Sequence, residues 1–188
     1  MYRGIVFIFF FSTCNLFSQN ISFFKEKIEM TIQNDSGFTV TGNYYFQNNN
    51  DRKSTTSFYY PFVTNSNYKY PDSIIILDEN KMPVNYSKGK NGIFFAVKSI
   101  PKNISEFTAF YSQKTLKRRA EYILTTTQNW NVPLQKAEYI VKLPKNLILK
   151  SISLQPDSTN YSSSYRNFFI TKENFMPMVN LIVEWGKE

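Results

Sequence analysis

Hydrophobic and polar side chains alternate along almost the whole chain after residue 18. In residues 28–32 (IEMTI) every second position is apolar. The same period continues after the turn-forming segment 34–37 (NDSG), where one face carries Phe38, Val40, Gly42, Tyr44 and Phe46. A period of two residues is typical of a β-strand with one buried face, so these two runs predict a β-hairpin.

Turn signals recur along the rest of the chain at intervals of roughly 8–15 residues, as in other all-β proteins. The pair Asn91 and Gly92 is a strong hairpin signal. Pro61 marks an edge strand or the end of a strand. The continuous apolar run 73–77 (SIIIL) predicts a strand buried on both faces, and the β-branched segment 121–127 predicts another strand.

These patterns predict about twelve strands. No segment shows a convincing period of 3.6 residues, and none of helix length separates the predicted strands, which argues against a parallel sheet built from βαβ units. The predicted fold is therefore all-β, an antiparallel two-sheet sandwich of the immunoglobulin-like or jelly-roll-like kind. We expect it to form a single domain over residues 19–188.

Residues 1–18 are predicted to be an export signal and not a part of this fold. Arg3 gives the segment a positive start, and residues 5–11 (IVFIFFF) form its apolar core. That core is shorter than the roughly 20 residues of a membrane span and matches a signal peptide. Cleavage after Ser18 would leave Gln19 as the new N-terminus.

Cys14 opens an alternative, the attachment of a lipid as in bacterial lipoproteins. Phe11 and Thr13, which precede it, match the usual lipoprotein recognition pattern poorly, so simple export is the favoured prediction. No other apolar run reaches membrane-spanning length. We expect the protein in the periplasm, on the outer-membrane surface or outside the cell.

Composition excludes several kinds of chemistry. The chain has 188 residues, a formal charge of +8, one Cys and no His. Zinc sites of the Cys/His kind are excluded, and so is catalysis by Ser-His-Asp or Cys-His groups. No motif calls for a cofactor or a metal ion, and we expect neither.

A basic stretch carries much of the positive charge, in Lys114, Lys117, Arg118 and Arg119. One interpretation is contact with an acidic partner such as anionic lipid, a polyanionic glycan or an acidic protein. The favoured interpretation is a solvated hairpin turn whose charges discourage pairing between sheet edges. A nucleic acid is not an expected partner, since the chain carries no recognised binding motif.

The 33 aromatic residues suggest a second kind of site. Those at alternating strand positions are predicted to pack in the core. Tyr68, Tyr70, Trp130 and Tyr161 fall in predicted loops, where exposed rings could stack on the faces of sugars. Trp130 could equally seal one end of the sandwich.

Two carboxylates are the remaining candidates for catalysis. Glu121 and Glu138 stand at the starts of two predicted strands, and a glycosidase needs two carboxyl groups about 5–10 Å apart. The favoured interpretation is that they form surface ion pairs with Arg119 and Lys136. We therefore expect no enzymatic activity.

Three segments resemble small secreted β-sandwich proteins of unknown function from Bacteroidota-type bacteria. They are residues 16–19 (LFSQ), the pairing of residues 42–46 (GNYYF) with 59–62 (YYPF), and residues 121–139. None of them is a catalytic motif. The resemblance implies the fold and export, and it implies no activity.

The sequence as a whole predicts an exported, non-catalytic protein of the cell envelope. A module that binds another envelope protein is the first expectation, and an exposed apolar patch or an open strand edge would favour it. A glycan-binding module that uses the four loop aromatics is the alternative, and rings aligned along one groove would favour that.

Overall fold

The computed structural model describes residues 21–34 and 37–187. The predicted signal segment and Cys14 lie outside the described residues. The described part contains thirteen strands and one short 3₁₀ helix, Thr125–Trp130. The strands are β1 (Ile21–Ile32), β2 (Gly37–Asn48), β3 (Ser54–Pro61), β4 (Ser73–Leu77), β5 (Tyr86–Lys88), β6 (Gly92–Ser99), β7 (Ile104–Lys114), β8 (Arg119–Tyr122), β9 (Leu134–Pro144), β10 (Leu147–Ile152), β11 (Ser158–Tyr161), β12 (Tyr165–Phe175) and β13 (Leu181–Lys187).

The strands form three sheets. One has seven strands in the order β11-β12-β9-β1-β2-β7-β4, and the other two have the orders β3-β6-β5 and β10-β13-β8. The prediction of an all-β fold is confirmed, with thirteen strands where about twelve were expected. Pairing is antiparallel except between β1 and β9, which run parallel with Lys25 opposite Lys136.

The predicted hairpins are present. β1 and β2 pair antiparallel with Ile32 opposite Phe38, and the apolar side chains of both strands point into the core, as the alternation requires. β5 and β6 pair across the Asn91–Gly92 turn. Pro61 ends β3, an edge strand, because proline has no N–H to donate to a further neighbour.

β4 corrects one expectation. Residues 73–77 were expected to be buried on both faces, but β4 is the edge of the seven-stranded sheet and pairs with β7 alone. The side chain of Ile75 is 47% exposed. A continuous apolar run shows that a segment is hydrophobic, but it does not fix the place of the strand in the sheet.

The segment 121–127 corrects a second expectation. Its strand, β8, ends at Tyr122, and the chain then enters the 3₁₀ helix. The side-chain oxygen of Asn180 accepts hydrogen bonds from the backbone N–H groups of Leu124 and Thr125. These bonds take the place of a strand ladder, so the β-branched composition does not extend the strand.

The two small sheets pack side by side on one face of the seven-stranded sheet. On this face the rings of Tyr44 and Phe107 stack, with centroids 4.7 Å apart. Phe58 of β3 and Phe95 of β6 lie within 5.2 Å of Phe107, measured between ring centroids. The second layer of the sandwich is therefore divided into two parts, and β3 and β8 are edge strands that do not pair with each other. No helix in the described ranges is long and apolar enough to cross a membrane.

Candidate functional site

A cavity of about 370 Å³ lies where the second layer is divided. Its floor is the seven-stranded sheet, which contributes Phe23 and Glu26 from β1, Tyr44 and Phe46 from β2, and Phe107 from β7. Because β3 and β8 are not hydrogen-bonded to each other, a gap lies between them, and core side chains of the seven-stranded sheet line the bottom of this gap. We call this space the central cavity.

The walls of the central cavity come from both small sheets. β3 supplies residues 57–61, and β8 supplies Tyr122. The 3₁₀ helix closes one side with Trp130, whose ring centroid lies 5.4 Å from that of Phe46 and 5.9 Å from that of Phe23. Most of the side chains that line the cavity are aromatic, so its surface is largely apolar with a few polar groups.

Glu26 is the carboxylate on the floor of the cavity. It is 2% exposed. The hydroxyl of Tyr139, on the neighbouring β9, donates a hydrogen bond of 2.6 Å to Glu26 Oε1. No described residue donates to the other carboxyl oxygen, Oε2, which is not among the fully buried unpaired atoms and so opens onto the cavity. Burial raises the pKa of Glu26 from 4.5 to about 7, although the bond from Tyr139 opposes this rise.

Glu26 was not among the predicted site residues, although the sequence carries a signal for it. Glu26 has the same parity as Ile28, Met30 and Ile32, so the alternation of β1 directs its side chain to the core. A carboxylate is very seldom buried without a partner. A charged residue at a core position of an otherwise regular pattern therefore marks a candidate site.

Three tyrosine hydroxyls meet beside Glu26. Tyr44 Oη lies 2.7 Å from Tyr60 Oη and 2.5 Å from Tyr122 Oη. The three residues come from three different sheets, since Tyr44 is in β2, Tyr60 in β3 and Tyr122 in β8. We call this group the tyrosine junction. Burial raises the pKa of each hydroxyl above its ordinary value, so all three are neutral at physiological pH.

Gly42 leaves room for the junction. It stands two positions before Tyr44 on the same face of β2, and the Tyr44 ring lies directly over it. A Cβ atom at Gly42 would overlap that ring. Glycine is therefore required here by close approach of a neighbouring side chain.

The four loop aromatics do not gather into one platform. Trp130 lines the central cavity, as described above. Tyr68 is only 3% exposed, and the Tyr70 hydroxyl donates to the carbonyl oxygen of Gly92. Tyr161 is 70% exposed, but it lies in the edge strand β11 and not in a loop. Among the described residues, no ring pair joins two of the four.

The basic stretch is a connection between sheets and not a hairpin turn, because β7 and β8 belong to different sheets. Arg119 forms a salt bridge with Glu184. Lys114 Nζ lies 3.9 Å from a carboxyl oxygen of Asp72, and Lys117 and Arg118 are exposed. Two of the four charges are thus used in local ion pairs.

Glu121 and Glu138 lie in different sheets, so they do not face each other across a cleft. They form the ion pairs expected from the sequence. Glu121 lies 3.8 Å from Arg119, and Glu138 lies 3.2 Å from Lys136, measured between charged atoms. Within residues 21–34 and 37–187, no three His, Cys, Asp or Glu side chains cluster in a way that could hold a metal ion.

Comparison with known proteins identifies a fold but no family. No protein-family model matches the chain, and no curated protein sequence does. A "putative nutrient binding protein" from Legionella pneumophila superposes with a TM-score of 0.66 and 15% sequence identity, over 88% of this chain and 67% of that one. At this identity the likeness establishes the shared fold alone.

An M1 zinc metallopeptidase from Deinococcus radiodurans also shares the fold. The TM-score is 0.54 and the identity 7%, over 88% of this chain and 42% of the peptidase. A mutant of that peptidase with a bound substrate gives a TM-score of 0.56 at 8% identity. This chain thus spans about two fifths of the peptidase.

The buried carboxyl of Glu26 predicts a dependence of stability on pH. Its pKa is higher in the folded protein than the value of 4.5 for an exposed carboxyl, so the folded state binds the proton more tightly. The free energy of unfolding therefore falls as the pH rises from 4.5 to about 7, and the loss persists above pH 7. A difference of this size corresponds to about 3 kcal/mol.

Glu26→Gln should remove that step, because the amide does not ionise and its oxygen can still accept from Tyr139. We expect the variant to match the wild type near pH 4 and to exceed its stability at pH 8, measured by urea unfolding at both values. Glu138→Gln, at a partly exposed carboxyl, is the control and should behave as the wild type. An equal pH step in Glu26→Gln and wild type would show that Glu26 is not the group responsible.

Proposed function

We propose that this chain is an exported, non-catalytic binding module whose ligand is a small molecule held in the central cavity. The observation that carries the proposal is a cavity of about 370 Å³ with mostly aromatic walls and a buried, half-satisfied carboxyl on its floor. Small-molecule sites are typically concave and mostly apolar, with a few polar groups that orient the ligand. The volume falls within the roughly 300–1,000 Å³ that is usual for such sites.

Two further observations support binding over catalysis. Glu26 is the single carboxylate among the residues that line the cavity, and no Lys, Arg or Cys accompanies it there. The cavity therefore lacks the second carboxyl group that general acid–base catalysis by a carboxyl pair requires. The Legionella pneumophila protein of the same fold is named a "putative nutrient binding protein", which is consistent with a binding role for this chain.

Export is part of the proposal and rests on residues 1–18. A chain processed as proposed would begin at Gln19 when it is purified from a host that exports it. Intact-mass measurement tests this directly. A protein that retains residues 1–18 would contradict export by cleavage, and a mass that places lipid on Cys14 would favour the anchored alternative.

Thr126 and Thr55 offer a pair of substitutions for testing the cavity. Thr126, in the 3₁₀ helix, lines the central cavity, whereas the exposed Thr55 of β3 does not. The uncharged fluorescent probe N-phenyl-1-naphthylamine should bind the wild type saturably, because its rings match the aromatic walls. Thr126→Trp should weaken that binding at least tenfold by filling the cavity, whereas Thr55→Trp should leave it unchanged.

A protein partner is the second candidate, and one observation favours it. The rings of Tyr59 and Phe94 lie 4.8 Å apart, between centroids, and about half of each side chain is exposed. Such a pair is typical of contact surfaces. If the probe does not bind saturably, while wild type and Thr126→Trp capture the same protein from envelope extract, the cavity proposal is overturned in favour of a protein partner.

A further inference from the structure

The electrostatics of the central cavity differ from those of the chain that surrounds it. The protein carries 22 Lys and Arg residues against 14 Asp and Glu. None of those basic side chains lines the cavity, and its one ionisable carboxyl is that of Glu26. The cavity is therefore an acidic pocket in a basic protein, and an anionic ligand would meet no opposite charge inside it.

The carboxyl of Glu26 is held ready to accept a further hydrogen bond. Tyr139 fixes Oε1, while no described residue donates to Oε2. Glu26 is 98% removed from solvent by the fold, yet it lines the cavity, so a ligand in the cavity can reach it. Because Oε2 is open to the cavity, a ligand donor can reach it and form a charge-assisted hydrogen bond there.

Aromatic rings make up most of the lining of the cavity that a donor group would enter. Tyr44 and Phe107 are stacked on the floor, and Trp130 packs against Phe23 and Phe46 at the side. The face of an aromatic ring carries negative electrostatic potential and attracts cations, most strongly when water is excluded. Rings and carboxylate thus favour the same kind of ligand group, a positively charged one.

We propose that the ligand carries a protonated primary or secondary amine on an apolar body, with the ammonium group donating to Glu26 and the apolar part held between the aromatic walls. This inference rests on the proposed function, since it names the ligand class of the same cavity. An amine with an N–H is favoured over a quaternary ammonium because Glu26 needs a hydrogen-bond donor as well as a charge.

The charge state of Glu26 should make the affinity for an ammonium ligand depend on pH. Tyr139 from β9, Tyr44 from β2, Tyr60 from β3 and Tyr122 from β8 are the titratable groups that face it. All four stay neutral in this range because burial raises their pKa values. Glu26, with a pKa of about 7, is the group that ionises, so an ammonium ligand should bind more tightly at pH 8 than at pH 5.5.

The test compares three probes of nearly equal size by isothermal titration calorimetry. Tryptamine is cationic, tryptophol is its neutral counterpart and indole-3-propionate is anionic. At pH 8 the wild type should bind tryptamine at least tenfold more tightly than tryptophol, and indole-3-propionate most weakly. At pH 5.5 the affinity for tryptamine should fall about tenfold, while that for tryptophol should stay the same.

The variant Glu26→Gln distinguishes the contribution of the carboxylate to ligand affinity from that of the aromatic walls. It should reduce the preference for tryptamine at least fivefold, because only the contribution of the rings remains, and keep the affinity for tryptophol, whereas Glu138→Gln should retain the wild-type order. Equal affinity of the wild type for tryptamine and tryptophol, or an unchanged preference in Glu26→Gln, would overturn the inference. Binding of N-phenyl-1-naphthylamine needs no charge at Glu26. If the wild type binds this probe but shows no preference for tryptamine, the cavity remains a binding site and only the ligand class is wrong. If the wild type does not bind the probe either, the proposed function is overturned as well.

Discussion

The three sheets of this protein depend on one hydrogen-bonded contact, the tyrosine junction. A buried hydroxyl without a partner is costly, and Tyr44 finds two partners, one in each small sheet. A single side chain of the seven-stranded sheet thereby bonds to both halves of the second layer. Gly42 permits this arrangement, because any side chain there would displace the Tyr44 ring.

The division of the second layer explains why a cavity exists at all. In a continuous sheet, backbone pairing between β3 and β8 would cover the floor. Here their edges are linked through tyrosine side chains, and the space between them leaves a cavity lined by Glu26 and aromatic rings. Structure and proposed function are thus connected: the junction links the two walls to the floor, and the carboxyl on that floor is the group that the proposed cationic ligand would meet.

Side-chain alternation was sufficient to predict the all-β class and the β1–β2 hairpin, because burial of one strand face is a local property. It did not predict the parallel pairing of β1 with β9 or the edge position of β4, since both depend on sheet order. Glu26 was visible in principle, as a charged residue in step with Ile28 and Met30. The meeting of Tyr44, Tyr60 and Tyr122 was not, because the period of a strand gives the direction of a side chain and not the identity of its distant neighbour.

The free energy of unfolding of Tyr44→Phe tests the central claim most directly, with Tyr161→Phe as the control at an exposed hydroxyl. Removal of the Tyr44 hydroxyl leaves those of Tyr60 and Tyr122 buried without this shared partner, which should cost about 2–4 kcal/mol. The control should stay within about 0.5 kcal/mol of the wild type. If Tyr44→Phe is as stable as Tyr161→Phe in urea, the junction does not hold the sheets together, and the account of how the cavity forms is contradicted.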